Sequence, residues 1–235
     1  MKVTIAEDFR KELLNKIAQR EFSERTGTHQ SDLIFCINKQ CMRKLNPQPT
    51  TESQLLTFSL GWSTQRWLTG QSEDEPEIEK DGIKVTLDAT WMGVPWELKA
   101  TYMSNTKPIE ESLHFVRQIM NQCYVTGTTE AYISRLEIMG NWKWVYRPKD
   151  PVKLQALVDQ FGEDWAKHPT LTAVKFEFTQ DELDHHWQWM QKRKQQYEGV
   201  IRTNVLLPKA QALASGMDFE CGFCEYKEQC EQGHP

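Results

Sequence analysis

Apolar and polar residues alternate most sharply between Gly82 and Tyr102. Ile83, Val85, Leu87, Ala89 and Trp91 interleave with Lys84, Thr86, Asp88 and Thr90. Past Met92-Gly93, Trp96, Leu98 and Ala100 interleave with Glu97, Lys99 and Thr101. A period of two is the mark of a strand with one buried face, and the glycine between the runs predicts a hairpin. Folding about Gly93 sets Asp88 opposite Glu97 or Lys99 to within one register step, with all three on one face. Directly opposed side chains have Cβ atoms roughly 5 Å apart, where two carboxylates repel unless a positive charge lies between them. A divalent cation is the natural occupant.

Helical spacing accounts for most of the remaining pattern. Phe9, Leu13, Leu14 and Ile17 predict a core-facing helix over residues 6 to 21, and Ser31 is a candidate N-cap for a short helix carrying both Cys36 and Cys41. Pro47 and Pro49 mark a loop before a helix from Glu52 to Leu68, and Gln71 to Glu77 reads as an acidic linker. From Ile109 to Val125, Leu113, Val116, Met120 and Tyr124 form an apolar stripe, with His114, Gln118 and Gln122 on an opposite polar line. Strands are predicted at Ala131–Ile138 and Trp142–Arg147, separated by Met139-Gly140-Asn141. Helices are predicted at Pro151–Trp165 and Asp181–Arg202, the latter docked through Leu183, Trp187, Met190 and Tyr197. Its aromatic and basic residues offer a second role, stacking on DNA and contacting phosphate.

Length and charge narrow the classes. A chain of 235 residues with 39% apolar content can bury one sizeable core with a small satellite. No apolar run approaches the roughly 20 residues that span a bilayer, and the N-terminus becomes charged too early for a signal peptide, so a cytoplasmic, membrane-free protein is expected. With 28 basic and 33 acidic residues the formal charge is -5, so any contact with nucleic acid must use a local basic groove.

Of the six cysteines, Cys221, Cys224 and Cys230 crowd the last fifteen residues in a Cys-x2-Cys-x5-Cys pattern. Two sulfurs three residues apart around a glycine can reach one metal centre, and Cys230 supplies a third. A fourth must come from far along the chain, from Cys36 or Cys41. Four thiolates suit zinc as well as an iron-sulfur cluster by count. Cys123, on the buried side of its helix, reads as core.

In this order the motifs resemble the PD-(D/E)XK nuclease superfamily, and within it the RecB-like iron-sulfur nucleases typified by the CRISPR-associated Cas-four exonucleases. Ser31-Asp32-Leu33-x2-Cys36 is similar to the family's first-cysteine motif, and Gly61-x3-Gln65-x-Trp67-Leu68 to its glycine-plus-histidine helix. Asp88 with Glu97-Leu98-Lys99 resembles the catalytic core, Gln118-x3-Gln122 the Gln-x3-Tyr motif, and Cys221-x2-Cys224-x5-Cys230 the terminal triplet. Three departures stand out. Gln65 replaces a metal-binding histidine, Gln122 replaces the tyrosine, and Cys41 competes with Cys36 through its Met42-Arg43-Lys44 continuation.

The resemblance implies an α/β fold: a restriction-endonuclease-like core with a central mixed sheet flanked by helices, plus a small iron-sulfur lobe. The whole chain would be one nuclease domain, its core about residues 50–180 and its lobe about 28–46 and 205–235. It implies a DNA nuclease in which Asp88, Glu97, the Leu98 carbonyl and, weakly, Gln65 hold Mg2+ or Mn2+. Lys99 would orient water or stabilise the phosphate, and Gln118 would hold substrate or Lys99. A structural 4Fe-4S cluster would rest on Cys36, Cys221, Cys224 and Cys230, with Cys41 in place of Cys36 as the alternative ligand and zinc as the alternative metal. Single-stranded DNA ends are the implied substrate and CRISPR integrase proteins the implied partners. Competing readings are a non-catalytic partner-binding subunit, a zinc-stapled nucleic-acid-binding module, and a phage recombination exonuclease.

Overall fold

A computed structural model describes residues 4–21, 26–70, 76–101, 107–138, 149–163, 169–214 and 216–232. The second predicted strand, Trp142–Arg147, and most of the acidic linker lie outside these residues.

Helices α1 (Glu7–Glu21), α2 (Gln30–Ile34), α3 (Ile37–Leu45) and α4 (Glu52–Thr69) come first. Strands β1 (Glu77–Lys80), β2 (Ile83–Thr86), β3 (Ala89–Trp91) and β4 (Val94–Thr101) follow, then α5 (Leu113–Thr126) and β5 (Glu130–Glu137). The chain continues through α6 (Pro151–Phe161), β6 (Thr170–Glu177), α7 (Gln180–Thr203), α8 (Lys209–Ala212) and α9 (Lys227–Gln232). Strands β3-β4-β5-β6 form one mixed sheet, in which β4 and β5 run parallel and both outer pairs are antiparallel. Helix α5 is the crossover that the parallel pair requires, and it packs on β4 and β5.

The long alternating run divides into two strands. β2 pairs with β1 and β3 pairs with β4, so the ladder breaks at Leu87-Asp88. Both hairpins close through two-residue turns with positive φ at each position, 52° and 68° at Asp81-Gly82 and 52° and 81° at Met92-Gly93. This is the turn whose twist matches paired strands, and Asp-Gly is a preferred sequence for it.

Two cores result. Leu33, Ile34, Ile37, Cys41, Ile83 and Val85 pack on Trp187, Met190, Tyr197 and Val200 of α7. Ile119, Cys123, Ala131, Ile133 and Leu183 form the other, between α5, the sheet and the start of the same helix. All four docking residues expected on α7 are buried. α1 departs from expectation: Phe9 and Leu13 are exposed and its neighbour is α4, because a weakly amphipathic helix has no continuous stripe to bury. The expected Ser31-capped helix is two helices. α2 is capped by His29, whose N–H donates to Asp32 Oδ2 at 2.8 Å, and Cys36 sits at the N-cap of α3.

Candidate active site

Asp88 stands where the ladder breaks, and Leu98 N–H of β4 donates to its Oδ2 at 2.8 Å. The β3–β4 register pairs Ala89 with Trp96, so one further step brings Asp88 opposite Glu97. Along β4, Glu97 and Lys99 share a face, as the period of two requires. The Lys99 ammonium bonds Glu97 Oε1. Glu97 is only 3% exposed, and a buried carboxylate demands such partners.

Its other oxygen accepts a hydrogen bond from α5. Gln122 Nε2 donates to Glu97 Oε2 at 2.5 Å and to the Thr86 carbonyl at 3.2 Å, joining the end of β2 to β4. Asn121 Nδ2 donates to Gln30 Oε1 at 3.1 Å, extending a polar seam behind the site. Gln122 Oε1 is buried with no partner among the described residues. An orphaned amide oxygen next to the Glu97 carboxylate suits a hard cation or its water, and Mg2+ is commonly held by one or two protein carboxylates plus substrate phosphates. By donor type these oxygens suit Mg2+ or Mn2+, although among the described residues no three His, Cys, Asp or Glu side chains are grouped to hold an ion.

Helix α5 places the two glutamines differently. Gln118 is half-buried and makes no hydrogen bond among the described residues, whereas Gln122 is the glutamine in contact with Glu97. The apolar stripe shifts too: Leu113 is exposed while Ile119, Asn121, Gln122 and Cys123 are buried. Gln65 lies half-buried on α4, which packs along β4. Sequence reasoning gave no role to Phe115, whose ring lies 5.0 Å beneath the Lys99 ammonium and next to His114 of the polar line. Burial, then the charges of Lys99, Lys107 and Arg117, push the His114 pKa down to about 4, so its ring is neutral near pH 7.

A second cluster gathers the cysteines. Cys36, Cys221, Cys224 and Cys230 all line one half-open cavity, with Lys39, Asn38 and Tyr226. Cys41 does not line it. Its thiol is fully buried against the Tyr197 carbonyl at 3.6 Å, and burial pushes its pKa up to about 12. Chain ends meet here: Glu220 Oε2 accepts Cys36 N–H at 2.8 Å, and Arg43 bonds Glu225 at 2.7 Å. Asn38 exchanges hydrogen bonds with the Leu207 backbone at 2.7 and 2.9 Å. Four thiols on one cavity fit a thiolate-bound group by donor chemistry. Among the described residues, though, no three His, Cys, Asp or Glu side chains converge closely enough to hold a single metal ion.

No family model matches the chain, and no curated protein does. One solved structure, that of the protein SSO0001, matches across 99% of this chain and 98% of that one at 14% identity, with a TM-score of 0.55. The likeness is one of fold. A phage-related exonuclease from Haemophilus somnus 129PT aligns over 80% of this chain and 94% of its own at 11% identity, with a TM-score of 0.45.

Proposed function

We propose that the chain is a Mg2+- or Mn2+-dependent deoxyribonuclease acting on the ends of single-stranded DNA. The observation that carries this reading is the gathering of Asp88, Glu97 and Lys99 around one segment of β4, with Gln122 orienting the central carboxylate. Asp88, Glu97 and the Leu98 carbonyl would hold the cation. When bound, it supplies Lewis-acid charge that offsets the charge growing on phosphate oxygens. Lys99 would place its ammonium against the same phosphate, in a site whose burial strengthens that attraction. Gln122 fixes the carboxylate, and Gln118 would hold substrate or Lys99.

Cys36, Cys221, Cys224 and Cys230 would hold a structural 4Fe-4S cluster, or zinc, after the sulfurs draw inward. The motif resemblance suggests CRISPR spacer acquisition or recombination as the setting, with integrase proteins as partners in the first case. The test is cleavage of end-labelled single- and double-stranded DNA with and without Mn2+. Cleavage that needs the metal and favours single strands supports the reading. A protein that folds yet leaves both substrates intact at every metal concentration contradicts it.

A further inference from the structure

Four rings from three distant parts of the chain meet beside Lys99. His114 lies 4.1 Å from Phe115, 5.9 Å from Phe35 and 6.1 Å from Phe219, centroid to centroid. Phe115 sits under the Lys99 ammonium, and Phe219 belongs to the 3-10 turn Asp218–Phe223 that carries Cys221. The rings therefore bridge the catalytic strand and the cysteine cavity. Packing holds this bridge in place: a Cβ added at Gly216, where φ is +79°, would fall 2.6 Å from Leu113 Cδ1 at the start of α5. Yet Phe219 is left 53% exposed.

An exposed ring at the edge of a packed aromatic cluster is an open stacking face; its chain neighbours Asp218 and Glu220 are acidic, and the cations of this region act on His114 behind it. Lys99, Lys107 and Arg117 all stand close enough to act on His114. An apolar peptide gains nothing from those cations, whereas a polyanion with aromatic bases uses both features. Only an unpaired base can offer its face, because duplex bases are stacked on one another.

We infer that Phe219 and His114 form a stacking platform for an unpaired base of single-stranded DNA, with the adjoining phosphates passing Lys107 and Arg117 toward Lys99. This platform rests on the nuclease reading and adds to it the source of strand preference. The platform positions substrate and takes no part in bond cleavage.

The experiment is equilibrium binding of fluorescent oligothymidylate and of a duplex of equal length to the full chain, in EDTA so that nothing is cut. One stacked base contributes about 1–3 kcal/mol, so Phe219→Ala is expected to weaken single-strand binding about 10-fold or more and leave duplex binding within about 2-fold. Phe219→Trp restores the affinity, while Phe219→Leu, which keeps apolar bulk without a π-face, does not. Unchanged single-strand affinity in Phe219→Ala and His114→Ala at wild-type melting temperature overturns the platform and reassigns the exposed ring to a protein contact. If those variants still cleave DNA with Mn2+, the nuclease reading stands without the platform. A wild-type chain that neither binds the oligonucleotide nor cleaves any DNA overturns both. Equal losses on single strand and duplex also overturn it, since stacking on an unpaired base predicts a difference.

Discussion

Gln118 and Gln122 lie one helical turn apart, and their spacing along the sequence cannot rank them; burial and hydrogen bonding to Glu97 do. Replacing Gln122 with Leu leaves a buried carboxylate oxygen short of a donor and the Thr86 carbonyl with Gln30 alone. The expected cost is about 1–3 kcal/mol in urea unfolding, with at least a tenfold loss of DNA cleavage. Gln118→Ala is expected to stay within about 0.5 kcal/mol of wild type, as a substitution away from any buried contact should. Equal effects from the two would reverse the assignment. Titration offers a second residue-scale test. Burial, reinforced by Arg117, pushes the His186 pKa down to about 4, as burial and its cationic neighbours do for His114. Both rings are neutral when folded, and the unfolded chain binds the extra protons. Their stabilisation is therefore complete above about pH 6.5 and is lost as pH falls toward 4. The melting temperature should drop across that interval, and His186→Phe should flatten the drop.

At the scale of elements, the alternating run was legible as strand and the turn at Gly93 was placed correctly. The division at Leu87-Asp88 was not, because alternation gives a residue's face and says nothing about its hydrogen-bonding partner strand. β1 went unseen for the same reason: Glu77-Ile78-Glu79-Lys80 has a single apolar residue, and its pairing with β2 supplies the rest. Helix α7 was legible at Leu183, Trp187, Met190 and Tyr197 of its buried stripe, and not at Val200 or Arg193. That guanidinium, 4% exposed, donates to the carbonyls of Leu33, Phe35, Gln211 and Ala212. It ties the α2–α3 junction and the segment around α8 to one helix, a task no spacing rule reveals. Arg193→Leu leaves those carbonyls without their donor and is expected to destabilise by about 3 kcal/mol or more. Arg193→Lys is expected to recover less than half, since an ammonium cannot reproduce the planar fork. Chemical denaturation of the three proteins measures both.

Across the whole molecule, the family motifs predicted a mixed sheet between helices, and the fold has one, shared with SSO0001 over almost the full length of both chains. They also predicted that the chain's ends would meet at cysteines. Cys36 and the terminal triplet do share a cavity, while Cys41 is enclosed in the core. The sequence favours Cys36 and keeps Cys41 as the alternative; the break between α2 and α3 sets Cys36 at the N-cap of α3, on the cavity, and leaves Cys41 inside the core. Cys36→Ser is therefore expected to lower the iron or zinc content of anaerobically purified protein, and Cys41→Ser to reduce stability while leaving metal content unchanged. Metal analysis beside thermal melting separates the two.

The central claim is that Asp88, Glu97 and Lys99 work as one site on a nucleic-acid phosphate. It is tested most directly by Mn2+-dependent DNA cleavage with wild type, Asp88→Asn and Lys99→Ala side by side, each shown to be folded by its melting transition. The account predicts cleavage by wild type and a loss of at least a hundredfold in either variant. Folded variants that cleave at the wild-type rate would contradict it.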